Sequence, residues 1–431
     1  MVSTLARGAI IAFLLQILGV ASTYISRIFL ARWMGTTEYG IYEYVLACTF
    51  LLAILTELGL PGAILRLIPE YRVKEDKSQL RGLLRGSLPI VFGAGLSMAT
   101  IGSLLLLTFE GARNWTYSQP LLVGLWLVPF LSAIDLQSEM ARTVQRIALA
   151  RAPIKVLFPI LLVSFAFFAR QNEVRLSSLT ILGGSIGILG AIAAFQYWQL
   201  AKIFRPEIEK AKPIYNLKAW FAIALPMLLS HGFLLILNYT DILMLGAWEN
   251  PAVVGLYAVA AKTAVWVTFV LQAVNTVVAP MFSALYAQGD RRALQELVSK
   301  TAGWMLVPTI LASGFVIVNS HWILGFFGTE FVAARWSVIV LVGGQCINAL
   351  SGSVGYLMGM TGHQNQSSKV LGYSALTNLV LNAVLIPRLG GLGAAIATAT
   401  AMAMWNLWLY VLVVKYIGIH ASALATFFGK D

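Results

Sequence analysis

The sequence predicts an all-α integral membrane protein, with about twelve transmembrane helices in two pseudo-symmetric six-helix lobes. Composition is the first reason: 59% of the residues are hydrophobic, 11% are charged and the mean hydropathy is +0.80. A soluble domain is roughly half apolar and a quarter charged. The second is length, because a span needs about 20 apolar residues and twelve such runs can be counted. They are 8–31, 41–67, 86–109, 119–141, 153–169, 177–201, 219–246, 252–282, 301–319, 332–357, 367–387 and 391–416. The third is an internal repeat. Trp33, Gly40 and Tyr42 have the same spacing as Trp248, Gly255 and Tyr257, and each set runs on into a charged segment, DKSQLRGLL from Asp76 and DRRALQELV from Asp290.

Taken in order, the first run, Gly8 to Leu30, is too long for a signal-peptide core and leads directly into another span, so it reads as a retained helix. Arg27 to Tyr71 then forms a helical hairpin whose copy begins at Asp241. The longest polar connections, 68–85 and 202–218, are too short to fold alone. The second lies midway, giving an N-terminal lobe over 1–205, a linker over 206–218 and a C-terminal lobe over 219–431. Two like lobes joined in this way suit a parallel repeat about the membrane normal.

Lys and Arg orient the spans. With the N-terminus inside, 22 of them fall in the inner connections and termini and seven in the outer ones, so both ends are expected in the cytoplasm. The net charge of +12 therefore reads as topology rather than as a nucleic-acid patch. Cys48 and Cys346 both lie in apolar runs and suggest neither a disulfide framework nor a metal site. No GxxxxGK[ST] loop and no HExxH motif occurs, so nothing points to ATP hydrolysis, a metal enzyme or a cofactor.

Three blocks together carry a family resemblance: Arg27 to Tyr71, DILMLGAWENPAVVGLYAVAAK from Asp241, and NLVLNAVLIPRLGGLGAAIATATA from Asn378. They resemble the polysaccharide-exporter branch of the multidrug/oligosaccharidyl-lipid/polysaccharide flippase superfamily, near the O-antigen-type flippases. The resemblance implies two lobes around a central cavity that opens alternately inward and outward. It also implies a substrate, a polyprenyl pyrophosphate-linked oligosaccharide moved from the inner to the outer leaflet of the cytoplasmic membrane for surface polysaccharide synthesis. Membrane lipids, and glycosyltransferases or a polymerase of the same pathway, are the implied partners. An ion-coupled multidrug exporter of the same superfamily is the alternative, although such exporters typically carry an acid in the first helix, where this chain has Arg27. A membrane polymerase or ligase is a third reading, weakened by short outer loops.

Polar groups within spans are costly and mark partners or cavities. Lys262 lies about 16 Å into the eighth span at 1.5 Å per residue, either in the cavity or in a buried ion pair. Thr268, Gln272 and Asn275 follow at one-face spacing, and the repeat aligns Gln272 with Glu57. In the seventh span His231, Asn238 and Asp241 share one side. Asp241 reads equally as a cavity group, a solvated carboxylate or a partner for Arg27 or Lys262. Arg27 could snorkel to head groups or bind a pyrophosphate bidentately. Asp135, Glu139, Arg142 and Arg146 form a stripe on the fourth span, read as salt bridges or as a basic mouth. Asp241, Glu57 and His231 are the candidates for ion coupling, with packing the bland alternative for the histidine.

Gln345, Asn348, Ser374, Asn378 and Asn382 form uncharged stripes suited to sugar hydroxyls or to helix–helix bonds. Pro61, Pro129, Pro159, Pro226, Pro280 and Pro308 are expected to bend spans. The small-residue run Gly390 to Ala401 should allow close packing. Trp33, Trp115, Trp198, Trp220, Trp248, Trp322 and Trp336 are placed as an interfacial belt.

Overall fold

The computed structural model describes residues 2–208 and 211–421, and among them every regular element is a helix. Among the described residues eight helices are long and apolar enough to cross a membrane, and Ser118–Leu125 with Val128–Thr143, bent by 40°, make a ninth. Two of the eight are double. Val2–Glu57 leaves the helical path at Gly35 (φ 76°, ψ 173°), and Gln364–Ile417 does so at Gly390 (φ 55°, ψ −132°). With these divided and Leu217–Trp248 added, the helices accommodate all twelve expected spans. Glycine suits both breaks because positive φ is costly for any side chain bearing a Cβ.

The repeat is visible in local chemistry. Asp76 caps Lys77–Thr108 by accepting from the Gln79 amide at 2.9 Å, and Asp290 caps Arg291–Val318 by accepting from the Ala293 amide at 2.9 Å. Each carboxylate satisfies an otherwise orphaned N–H at a helix start. The two charged segments singled out in the sequence therefore begin with the same device.

The chain divides into two compact units, Met1–Gly232 and Phe233–Asp431. The N-terminal unit is built around Leu60, Ile64, Ile68, Leu83, Leu136 and Trp220. Trp220 is fully buried there, unlike an interfacial belt residue, whereas Trp115, Trp198, Trp248, Trp322 and Trp336 are exposed. Its indole supplies a large apolar surface to the core, which outweighs the interfacial preference of an amphipathic ring. The core of the C-terminal unit includes Phe282, Val298, Leu357 and Val413.

Pro61 and Pro129 occupy the first turn of their helices, where the missing N–H was unsatisfied anyway, and Pro129 stands at the break where its span bends by 40°. Pro159 follows the π-helical turn Pro153–Leu157 inside the continuous span Ile147–Gln171, and Pro226, Pro280 and Pro308 lie in helix interiors. Close approaches in the N-terminal unit depend on glycine. A Cβ at Gly59 (φ +75°) would stand 2.0 Å from the Ala224 carbonyl oxygen, and one at Gly82 would stand 1.8 Å from that of Ile214.

Three helix ends are tied by Arg72. Its guanidinium donates twice to Glu207, at 2.8 Å each, and once to the Thr143 carbonyl at 3.2 Å. Bidentate pairing of this kind fixes orientation as well as charge.

Candidate functional site

In the N-terminal unit Arg27 lies 3.5 Å from Glu43 Oε1, with the carboxylate 4% exposed. The Tyr39 hydroxyl donates to the same oxygen at 2.8 Å. Tyr39 and Glu43 are one helical turn apart, so both reach Arg27 across the break at Gly35. Lys155 is close enough to feel the charges of Arg151, Arg27 and Asp135. It sits in a π-helical turn, Pro153–Leu157, and its carbonyl accepts from Ser22 Oγ at 3.0 Å. Such turns re-aim side chains and recur at functional sites. Arg27 and Arg151 thus lie within electrostatic reach of Lys155, a basic group contributed by the first and fifth spans with Asp135 of the fourth span facing it.

Beside Lys155 lies a cavity of about 300 Å³, whose lining includes Glu57, Asp135, Ser138, Glu139 and Ile154. Glu57 is 7% exposed, and no hydrogen bond or ion pair reaches it among the described residues. It is the last residue of its helix, followed by Leu58 (φ 53°) and Gly59 (φ 75°). Glu139 is paired with Arg142 at 2.6 Å. Arg142 therefore follows the salt-bridge reading of the fourth-span stripe. Arg146 does not belong to that stripe: the helix stops at Thr143, and Gln145 takes a positive φ of 58° before the next helix begins. The i to i+11 spacing assumed a helix that the turn interrupts.

The C-terminal unit holds a buried polar network around Asp241, which is 5% exposed. Its Oδ1 accepts from the Ile242 amide at 2.8 Å and its Oδ2 accepts from Thr398 Oγ1 at 3.3 Å. The Tyr257 hydroxyl also donates to Oδ2. Asn378 Nδ2 reaches Thr398 at 3.3 Å, and Asn382 Nδ2 donates to Asn378 Oδ1 at 3.0 Å. The seventh, eighth, eleventh and twelfth spans meet here. Lys262 lies with its Nζ 6.0 Å from the Tyr239 ring centroid and within electrostatic reach of Asp241.

The stripe of Thr268, Gln272 and Asn275 is not one face. A 3-10 turn over Val265–Thr268 shifts the helical register. Thr268 is buried and donates to Val265, Asn275 is buried and accepts from Ser353 Oγ, and Gln272 is exposed. Asn238 is exposed, while the His231 side chain lies outside the described residues.

Sequence reasoning overlooked four residues. Glu43 stands in an apolar span, and its spacing from Tyr39 was the available signal. Lys155 was counted with the inner charges that orient the spans. Tyr257 was used only as a marker of the repeat, and Thr398 was absorbed into the small-residue run after Gly390.

A chain of this length, with twelve apolar spans and buried polar groups inside them, defines a polytopic α-helical membrane protein. The model of the family described as "Polysaccharide biosynthesis protein" matches residues 5–286, and that described as "MatE" matches residues 226–384. The chain belongs to the first of these, and with it to the polysaccharide-exporter branch of the multidrug/oligosaccharidyl-lipid/polysaccharide flippase superfamily. It is 24% identical over 415 residues to the "Probable low-salt glycan biosynthesis flippase Agl15" of Haloferax volcanii, covering 93% of this chain and 81% of that protein. Its fold resembles that of the lipid II flippase MurJ in an inward closed conformation, with a TM-score of 0.71 at 16% identity, over 97% of this chain and 91% of that one. It also resembles an inward-facing multidrug resistance MATE family transporter, with a TM-score of 0.74 at 12% identity, over 92% and 94%. These relatives are named as flippases and transporters, and none is an enzyme.

Proposed function

We propose that the protein translocates a polyprenyl pyrophosphate-linked oligosaccharide from the inner to the outer leaflet of the cytoplasmic membrane, by alternating access, for surface polysaccharide synthesis. The observation that carries this reading is the basic cluster of Arg27, Arg151 and Lys155, with Arg27 steadied by Glu43. A guanidinium and an ammonium placed together within spans suit a pyrophosphate, the one by bidentate hydrogen bonds and the other as a point charge. The named relatives, a glycan flippase and a lipid II flippase, support a lipid-borne sugar as the cargo.

In this reading 1–205 and 219–431 are the moving lobes, joined by 206–218, with both termini cytoplasmic. Asn238, Lys262 and Gln272 belong to the cargo path of the second lobe, and Arg146, which stands outside the Glu139–Arg142 ion pair, to the cytoplasmic approach. Asp241 and Glu57 carry the coupling ion or proton, with His231 assisting. Glycosyltransferases or a polymerase of the same pathway supply and consume the cargo. In proteoliposomes with a fluorescent lipid-linked oligosaccharide, Arg27→Ala and Lys155→Ala should each slow translocation at least tenfold. Wild-type rates in both, with correctly inserted protein, would remove the cluster from the mechanism.

The acidic cavity at Glu57 favours a second reading, export of a cationic amphiphile, because its carboxylates complement positive charge. Energised vesicles that extrude ethidium, but leave the lipid-linked sugar in place, would select it.

A further inference from the structure

A second groove lies on the flank of the N-terminal unit, on helices that the basic cluster does not use. It encloses about 430 Å³ between Lys77–Thr108 and Ser178–Ile208, with Gln137 and Met140 of Val128–Thr143 at its floor. Arg81, Leu84, Arg85 and Leu88 follow one helical face, and Tyr197, Leu200, Phe204 and Arg205 follow another. Among the described residues the lining therefore holds three guanidiniums and no carboxylate. Arg85 is exposed and has no ion pair among the described residues, while Arg81 is steadied by donating to the Ala211 carbonyl. Gln137 is 2% exposed, and its Oε1 has no hydrogen-bond partner among the described residues.

Two further features set the groove at the edge of the bilayer. Tyr197 and Trp198 are each more than half exposed, and Lys202 Nζ lies 3.5 Å from the Trp198 ring centroid. Aromatic rings and cations gather at the level of the head groups. Farther along the third span, Leu104 and Leu105 are exposed, as befits a helix facing lipid. The groove thus combines positive charge at head-group level with leucines toward the hydrocarbon, on the membrane side where Lys and Arg are concentrated.

We propose that this groove binds an anionic glycerophospholipid. Its phosphate sits against Arg81, Arg85 and Arg205, and an acyl chain runs along Leu84 and Leu88. Gln137 Oε1 is an acceptor for a head-group hydroxyl such as that of glycerol. Charge complementarity selects the occupant: a zwitterionic lipid brings an ammonium that the three guanidiniums repel. Basic pockets between spans at the inner leaflet favour anionic head groups for the same reason.

The test is native mass spectrometry of the full-length protein in nonionic detergent, titrated separately with phosphatidylglycerol, phosphatidylcholine and polyprenyl pyrophosphate. One phosphatidylglycerol should be retained per chain in preference to phosphatidylcholine. Arg85→Ala with Arg205→Ala should weaken it roughly tenfold or more, and lysine at both positions should largely restore it. For wild-type protein, raising salt toward about 1 M should weaken retention by screening, an arm that needs no variant to fold. Equal retention of the two phospholipids, undiminished retention in the alanine variant, or these arginines holding polyprenyl pyrophosphate in preference to phosphatidylglycerol would each overturn the assignment.

Discussion

Arg27 Nη1 stands 3.5 Å from Glu43 Oε1, and the two residues lie on either side of the break at Gly35. The pair joins the first and second spans where the chain has only one non-helical residue between them. Removing one charge leaves the other desolvated without its counter-ion. Glu43→Gln should therefore lower stability by roughly 3 kcal/mol, the cost of breaking a buried pair from one side. Thermal unfolding in detergent checks this, and a double-mutant cycle with Arg27→Leu should show the two effects to be strongly non-additive.

The Asp241 network yields a different expectation. Tyr257→Phe removes one donor to Oδ2, while Thr398 and the Ile242 amide remain. The loss should be about 1–3 kcal/mol, as for a buried acceptor deprived of one bond. If Asp241 carries the coupling ion, the ion dependence of transport should also shift in Tyr257→Phe. A stability loss with unchanged ion dependence would make the network purely structural.

Gly59→Ala should be among the most damaging single changes in the N-terminal unit. It places a Cβ 2.0 Å from the Ala224 carbonyl oxygen at a φ of +75°. Gly93→Ala, where a Cβ meets nothing within 4 Å, is the matched control and should be neutral or slightly stabilising. Folded yield on size-exclusion chromatography separates the two.

Asp76→Ala and Asp290→Ala should each cost about 1 kcal/mol, because each removes one side-chain cap. Similar losses in the two units, read by hydrogen exchange at the adjoining helix starts, would show the repeat to be energetic as well as geometric.

The sequence exposed the fold well and the interior poorly, for physical reasons. Apolar runs must be about one bilayer long, so the twelve spans and the Asp76 and Asp290 starts could be read directly. Thr398 could not, because its partners come from other segments and nothing in linear spacing brings them together, and Glu43 only in part, because its spacing from Tyr39 is linear while its pairing with Arg27 crosses the break at Gly35. Arg146 and the Thr268 stripe misled because single turns at Gln145 and Val265–Thr268 change a phase that periodicity takes as constant. Trp220 misled because a ring suited to the interface is equally able to fill a core.

The breaks at Gly35 and Gly390 have a practical side. At each, two successive spans meet with one non-helical residue between them, leaving no slack segment to carry an inserted epitope or reporter. Topology mapping by insertion will fail there for mechanical reasons alone. Single-cysteine labelling of exposed neighbours such as Arg32 or Leu389 adds no chain length and is the gentler way to ask which side of the membrane these elbows face.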